Sequence, residues 1–515
     1  MPSQIVFAGQ ALSETSFLSG VKKIASVLVA NGVRPDDAIA ILMRNEPMYL
    51  QIIEACRYVG ARYVALNWHG SAAEIAHILE DSKAKVLLGH RDLLNVLSEH
   101  TVFREQIAGI AVLAQATPRS IIERYELGTV TEEGGYQNLH AAIEAAEEIA
   151  SAPQKVRGLF AYTSGSTGRP KGIVRPSHPD APDRYMMYQM LAQGFMFLQP
   201  GDKFYMAAPM YHSAPNTLSL SALSATDVDI YIESQFDPED FLKIVEREKI
   251  THAYIVPTMM IRLLKLPQEV REQYDVCSLR YSVSTGSPCP VDVKQAMIDW
   301  FGPIFYESYG ASELGFMTLI SATEALEKPG SVGRAREGTA IKILNDELQE
   351  LGPGETGTIY IHSMLASGFG YTNSEGDLTD QELGGFATVG DVGYLDDEGF
   401  LFISDRKKEM IISGGANIFP SEIEAEILRL PQVLDCAVFG APDEEFGEKI
   451  VAAVQLQDGQ VLSLGELQHA LEGQLARFKM PRKLDVHEAL PREDSGKIFK
   501  KRLKDPYWEG AGRQI

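Results

Sequence analysis

A chain of 515 residues, 45% hydrophobic and 23% charged, lies in the globular range and is too long for one compact core, so at least two domains are expected. A formal net charge of -23 excludes a general binder of nucleic acid or of anionic membranes, both of which need a basic face. The four cysteines, Cys56, Cys277, Cys289 and Cys436, form neither a disulfide-dense framework nor a C-x-x-C metal pair, which fits a reducing compartment.

The opening Met1-Pro2-Ser3-Gln4-Ile5 has no basic stretch leading into an apolar run. No later segment reaches the roughly 18 uninterrupted apolar residues of a membrane span. The expectation is a soluble cytoplasmic protein.

Residues 16–32 place apolar side chains at helical spacing and stop at Asn31-Gly32, and the following AIAILMRN reads as a buried strand. The rhythm repeats in ARYVALN, SAAEIAHILEDS and AKVLLGH, then again from KFYMAAP through DFLKIVEREKI to HAYIVPTMM. Short β-branched runs alternating with amphipathic helices predict an α/β fold with two doubly wound halves. After residue 340 the strands AIKILN, GTIYIHS and FLFISD are separated by Gly, Asp and Pro turns, which predicts a smaller β-rich lobe. A polar connector, Asp405-Arg406-Lys407-Lys408-Glu409, then precedes SEIEAEILRL, CAVFGAP, KIVAAVQL and LGELQHALEGQLA, the pattern of a small α+β module. The boundary falls near Lys408, giving 1–407 and 408–515.

The strongest chemical signal is Tyr162-Thr163-Ser164-Gly165-Ser166-Thr167-Gly168-Arg169-Pro170-Lys171-Gly172. Small hydroxyl residues and glycines let backbone N–H groups converge on phosphate oxygens, and Lys171 adds a point charge. The chain contains no G-x-x-x-x-G-K-[ST], so a P-loop ATPase or kinase is disfavoured. A plain Ser/Gly linker would not need eleven ordered positions ending in Pro-Lys-Gly.

This loop resembles the signature of the adenylate-forming superfamily, which includes acyl-CoA and aryl-CoA synthetases, peptide-synthetase adenylation domains and beetle luciferases. The likeness runs from about residue 12 to about residue 503. It implies a large N-terminal adenylation domain and a small mobile C-terminal domain. Its implied substrates are ATP, coenzyme A and a carboxylic acid, with Mg²⁺ as cofactor.

Site residues follow from the resemblance motif by motif. Thr163, Ser164, Gly165, Ser166, Thr167, Gly168 and Lys171 would hold phosphates. Tyr306-Glu307-Ser308-Tyr309-Gly310-Ala311-Ser312-Glu313 resembles the Y-G-x-T-E motif with Ser312 in the usual Thr position. It would place Tyr309 on adenine, Ser312 at the α-phosphate and Glu313 on Mg²⁺, with Glu307, Ser308 and Gly310 in the nucleotide site. Gly286 and Ser287 resemble a turn beside adenine. Asp391, in Thr388-Val389-Gly390-Asp391-Val392-Gly393-Tyr394, would accept from the ribose hydroxyls, and Arg406 would also contact ribose, although Asp405 stands where many members have Gly.

Lys408 matches the hinge about which the small domain rotates between its two half-reactions. Gly414, Gly415 and Ala416 would line the pantetheine tunnel, where side chains would obstruct. Lys497, in Pro491-Arg492-Glu493-Asp494-Ser495-Gly496-Lys497, resembles the mobile catalytic cation. Pro209-Met210-Tyr211-His212 resembles the segment that borders the acyl site in the CoA-forming branch, so catalytic roles fall to Lys497, Thr163, Glu313 and His212. Tyr211, His212, Ser308, Phe316 and Met317 are candidate acyl-pocket residues, suggesting an apolar fatty, aryl or alicyclic acid. A carrier-protein thiol is the alternative acceptor, and a homodimer is one open option for assembly. Gly352-Pro353-Gly354-Glu355-Thr356-Gly357 fits G-x-G-x-x-G but precedes a strand, so it reads as a turn. No G-x-S-x-G nucleophile elbow occurs. Neither the short N-terminus nor residues 178–185 receive a role.

Overall fold

The computed structural model describes residues 2–131, 135–154, 158–164, 170–174, 183–287, 289–363, 370–372, 383–406, 409–413, 416–443, 446–472, 474–492 and 498–509. The alternation read from the sequence becomes two mostly parallel sheets. The first has five strands in the order Arg62–Ala65, Ala38–Leu42, Val86–His90, Ala111–Gln115 and Gln137–Asn138, every neighbouring pair parallel. Along the strand Ala38–Leu42, Ile39 and Ile41 join one core while Ala38, Ala40 and Leu42 join another. That two-sided burial is why the strand reads as a continuous apolar run.

Helix Glu14–Ala30 shows how the flanking layer forms. Ser13 accepts from the Ser16 N–H at its start, and Asn31 closes it with its own N–H on Val27 and Leu28. Phe17, Val21, Ile24 and Leu28 fall at helical spacing and are all 0% exposed. Burying each such side chain contributes about 1.5–3 kcal/mol. Helix Ala72–Ser82 opens on a full capping box of Ser71 and Glu74.

The second sheet runs Phe305–Glu307, Tyr281–Ser284, His252–Tyr254, Lys203–Met206, Asp229–Ile232, Gln4–Phe7 and Gln10–Ser13. Its last pair is antiparallel, an edge hairpin supplied by the N-terminus. Ser3 Oγ donates to Asp227 (2.5 Å) and Gln4 Nε2 to Asp229 (2.9 Å), which pins the hairpin to the strand it joins. The stretch PTMM, read together with the strand before it, instead begins a helix at Pro257, because proline at a first helical position loses no hydrogen bond.

The β-rich lobe is a six-stranded antiparallel sheet ordered Thr318–Leu319, Ser331–Ala335, Phe400–Arg406, Asp391–Leu395, Gly357–Ser363 and Thr339–Leu344. Gly354, in the turn before Gly357–Ser363, has φ 79°, so the G-x-G-x-x-G match is a turn into a strand. Residues 409–509 build another sheet, Ala416–Ile418, Ile411–Ser413, Gly447–Leu456 and Val433–Asp443, with Lys483–His487 added parallel to Gly447–Leu456. This sheet is also covered on both faces: Cys436, Val438 and Ile450 pack to one side, Ala437, Phe439 and Val451 to the other. Helix Leu464–Leu471 is shorter than the LGELQHALEGQLA pattern, stopping two residues before Gly473.

Candidate active site

Strands Tyr162–Ser164 and Pro170–Val174 pair antiparallel, with Thr163 opposite Lys171, and the phosphate-loop positions 165–169 connect them. Gly165, Ser166, Thr167 and Gly168 lie outside the described residues, as do Lys408, Gly414, Gly415 and Lys497. A third strand, Gly370–Tyr371, joins the hairpin from 200 positions away, and Gly172 N–H donates to Thr372 Oγ1 at 3.1 Å. A Cβ at Gly172 would sit 2.6 Å from Phe160 and 2.9 Å from Tyr162, so only glycine lets the strand pass these rings. Tyr162 donates to Asp81 at 2.6 Å, and burial raises its pKa, which keeps the phenol neutral.

Tyr306 through Glu313 run off the edge strand Phe305–Glu307 into a tight hairpin, Gly310–Ala311 against Gly315–Phe316. A Cβ on Gly310 would lie 2.7 Å from the Gly315 carbonyl, so this close approach requires glycine. Ser308 is spent on the backbone: its N–H donates to Ser284 O at 3.0 Å and its hydroxyl to Thr318 O at 2.6 Å. Ser312 Oγ lies 2.8 Å from Ser213 Oγ, in the first turn of helix Ser213–Ser224, for which His212 is the N-cap residue. The hairpin is thereby brought to the segment that carries Tyr211 and His212. Gly286 turns with φ 92° beyond strand Tyr281–Ser284, leaving Gly286 and Ser287 exposed.

Two phenols meet two carboxylates here. Tyr309 donates to Asp391 Oδ2, which ties the hairpin to the β-rich lobe, and Tyr371 donates to Glu313 Oε1 at 2.9 Å. Asp391 is 5% and Glu313 7% exposed. Thr388 Oγ1 accepts from Gly390 N–H and sets the turn into the strand at Asp391, whose register partner is Arg406. Glu307 is buried and ion-paired with Lys294, while desolvation pushes its pKa up. Phe316 and Met317 face opposite ways: Phe316 packs against the core of the parallel sheets, whereas Met317, 0% exposed, belongs to the core of the β-rich lobe.

The segment 209–212 has supports that the sequence did not reveal. Asn45 Oδ1 accepts from Met210 N–H at 2.8 Å, and its Nδ2 donates to Ala208 O at 2.8 Å and Glu233 O at 3.2 Å. Met210 O accepts from Asn216 (2.9 Å) and Tyr49 (3.3 Å), and Tyr63 donates to Asn216 at 2.7 Å. Tyr371 and Lys294 were missed in the same way. Asn45, Tyr49, Tyr63 and Tyr371 act across 58 to 165 positions, where local patterning carries no signal.

Residues 3–369 match the model for the AMP-binding enzyme, and residues 422–497 match that for the AMP-binding enzyme C-terminal domain. The chain belongs to the AMP-binding enzyme family. This AMP-binding enzyme is 32% identical to feruloyl-CoA synthase of Amycolatopsis sp, over 96% of this chain and 93% of that protein. It is 29% identical to indoleacetate–CoA ligase of Aromatoleum aromaticum, with the same coverages. Among solved structures it is similar to o-succinylbenzoate CoA synthetase from Bacillus subtilis in complex with its acyl-adenylate intermediate, with a TM-score of 0.80 and 27% identity over 98% of this chain and 96% of that one. The same synthetase with ATP and a magnesium ion gives a TM-score of 0.79 at 26% identity, with the same coverages. The AMP-binding enzyme lies on the acyl-CoA synthetase branch and is an AMP-forming acid–CoA ligase.

Proposed function

We propose that this ligase works at the junction of the Gly310–Phe316 hairpin with the N-terminus of helix Ser213–Ser224, and the 2.8 Å approach of Ser312 to Ser213 carries the assignment. A substrate carboxylate attacks the α-phosphorus of ATP there, forming the acyl–phosphate bond and breaking the bond to pyrophosphate. The CoA sulfur then attacks the acyl carbonyl, the mixed anhydride opens, and AMP leaves while the thiol proton passes to solvent. A helix N-terminus favours the negative charge that gathers at this point in both steps.

Asp391 takes the ribose hydroxyls and Tyr309 stacks on adenine, the Tyr309–Asp391 contact giving both a fixed position before nucleotide arrives. The phosphate loop, Lys171 and Thr163 hold the phosphates, and Arg406, Gly286 and Ser287 border the nucleoside. Glu313 would hold Mg²⁺. Among the described residues no cluster of three metal-binding side chains exists, which suits a Mg²⁺ held by one carboxylate and by ATP phosphates. The ion would neutralise charge on those phosphates. Tyr211, His212 and Phe316 border the acyl group.

Lys497 supplies the cation for adenylation and Lys408 the hinge between 1–407 and 408–515. Rotation there replaces Lys497 by a CoA tunnel lined by Gly414, Gly415 and Ala416, so that one site serves two transition states. Coenzyme A is the acceptor, and cytoplasm is the proposed compartment. Among the described residues no helix is long and apolar enough to cross a membrane.

The test separates the half-reactions. Lys497→Ala should slow acyl-adenylate formation on the order of 100-fold or more while leaving thioester formation from supplied acyl-AMP within a few-fold of wild type. Equal loss in both halves would sink the assignment of Lys497. AMP release without thioester would instead point to a carrier-protein thiol.

A further inference from the structure

Beside the hairpin of Ser312 and Glu313 stands a cation that neither half-reaction uses. Arg336 directly follows strand Ser331–Ala335, and its backbone N–H donates to Met317 O at 3.0 Å. Its Nη1 donates to Phe316 O at 3.3 Å, and the guanidinium carbon sits 4.7 Å from the centre of the Phe195 ring. The surround is aromatic. Phe195 stacks on Phe316 with centroids 4.6 Å apart, Tyr281 donates to Phe195 O at 2.5 Å, and Tyr281 packs on Tyr306 at 4.8 Å.

Among the described residues no carboxylate pairs with Arg336, whereas its near neighbour Arg334 reaches Glu398 at 3.6 Å and Glu324 at 4.0 Å. A guanidinium has five N–H donors in a planar fork, and one carbonyl takes one of them. Arg336 is only partly exposed, and burial lowers its pKa below the usual arginine value. A cation held away from water with no anion costs free energy, a cost retained where a ligand completes the pair.

Position indicates which ligand. Phe316, the residue that Arg336 grips, pairs with Gly310 in the same hairpin that delivers Ser312 to Ser213. The guanidinium therefore stands at the outer strand of the hairpin, away from the proposed point of adenylation. We propose that Arg336 binds a second carboxylate at the distal end of the acyl part, so that the preferred substrate is a dicarboxylic acid activated at only one end. This rests on the ligase reading above and replaces a wholly apolar acyl group with one that is apolar along its length and anionic at its tip. Phe316, partly exposed and backed by the buried Phe195 ring, would pack along the apolar length, and a bidentate guanidinium–carboxylate pair would fix its end.

The test uses the full chain with alkyl and aryl acids of matched length, one member of each pair ending in a carboxylate and the other in a methyl group. CoA-dependent AMP release gives kcat/KM for each. Wild type should favour the diacid, and Arg336→Met should lower the diacid-to-monoacid ratio roughly 10- to 100-fold, mainly through KM. Arg336→Lys should restore part of that ratio, which a merely structural role would not do, and Arg336→Gln substitutes if the Met variant does not fold. A wild type that favours monoacids, or variants that leave the ratio unchanged, would overturn the inference while the ligase reading stands. Absence of turnover with every acid would overturn both.

Discussion

On the proposed acyl side, residues 208–212 are held by Asn45, Asn216, Tyr49 and Tyr63, neutral groups each no more than 3% exposed. On the proposed nucleotide side, Tyr309 and Tyr371 hold their places by donating to the carboxylates of Asp391 and Glu313. A neutral buried amide has no better partner to move to, so its bonds persist through the catalytic cycle. A carboxylate beside a nucleotide has alternatives in ribose hydroxyls and metal ions, so its bonds can be exchanged for substrate. One side is a permanent support and the other a rehearsal of binding.

The comparison is broken or sharpened first at Asn45. Asn45→Ala leaves the Met210 N–H and the Ala208 carbonyl buried without their partner, and should cost about 2–4 kcal/mol. The urea midpoint of the transition that melts the parallel sheets reads this, and KM for ATP should change much less. If ATP binding falls while stability holds, the two sides are not distinct.

A second effect concerns Glu233, whose carbonyl the same amide holds and whose carboxyl burial pushes up to about 7. Arg124 and Arg247 pull that value down and Asp240 pushes it up, but desolvation dominates. Because the folded pKa is raised above the ordinary 4.5, ionisation is disfavoured in the fold, and stability falls as pH rises from about 4.5 to about 7. Glu233→Gln should therefore be about 1–3 kcal/mol more stable than wild type at pH 8, with the gain vanishing near pH 4. Denaturation midpoints across that range would show it, and a gain independent of pH would refute it.

The smallest effect is expected at Tyr371. Tyr371→Phe removes a single hydrogen bond to Glu313 and should cost about 1 kcal/mol, appearing as a several-fold change in the Mg²⁺ or ATP dependence of adenylation. The melting temperature should hardly move. A large loss of stability would make Tyr371 part of the permanent support.

These three positions also mark where sequence reading ends. The two-sided strand Ala38–Leu42 and the helix Ala72–Ser82 are local, so spacing and residue type disclose them. The motifs around Ser312 and Asp391 acquire a chemical reading only through their resemblance to family motifs that follow the phosphate loop in the same order. Asn45, Tyr371, Lys294 and Arg336 have no such signature. Asn45 meets its partner 165 positions away, and Tyr371 meets Glu313 58 positions away, so each is an ordinary polar residue until the chain is folded. The same holds for Gln4–Phe7, a short strand whose sheet partner lies beyond residue 228.

That strand carries a consequence for synthesis. At about 5–20 residues per second, the ribosome needs roughly 10–45 s to pass from residue 4 to the strand Asp229–Ile232 that Gln4–Phe7 must join. Throughout that interval the hairpin of Gln4–Phe7 and Gln10–Ser13 has an unsatisfied edge. The strand at that edge, Gln4–Phe7, is only four residues long, a poor template for pairing with another nascent chain. Gln4–Phe7 must stay soluble until a partner more than two hundred residues downstream arrives.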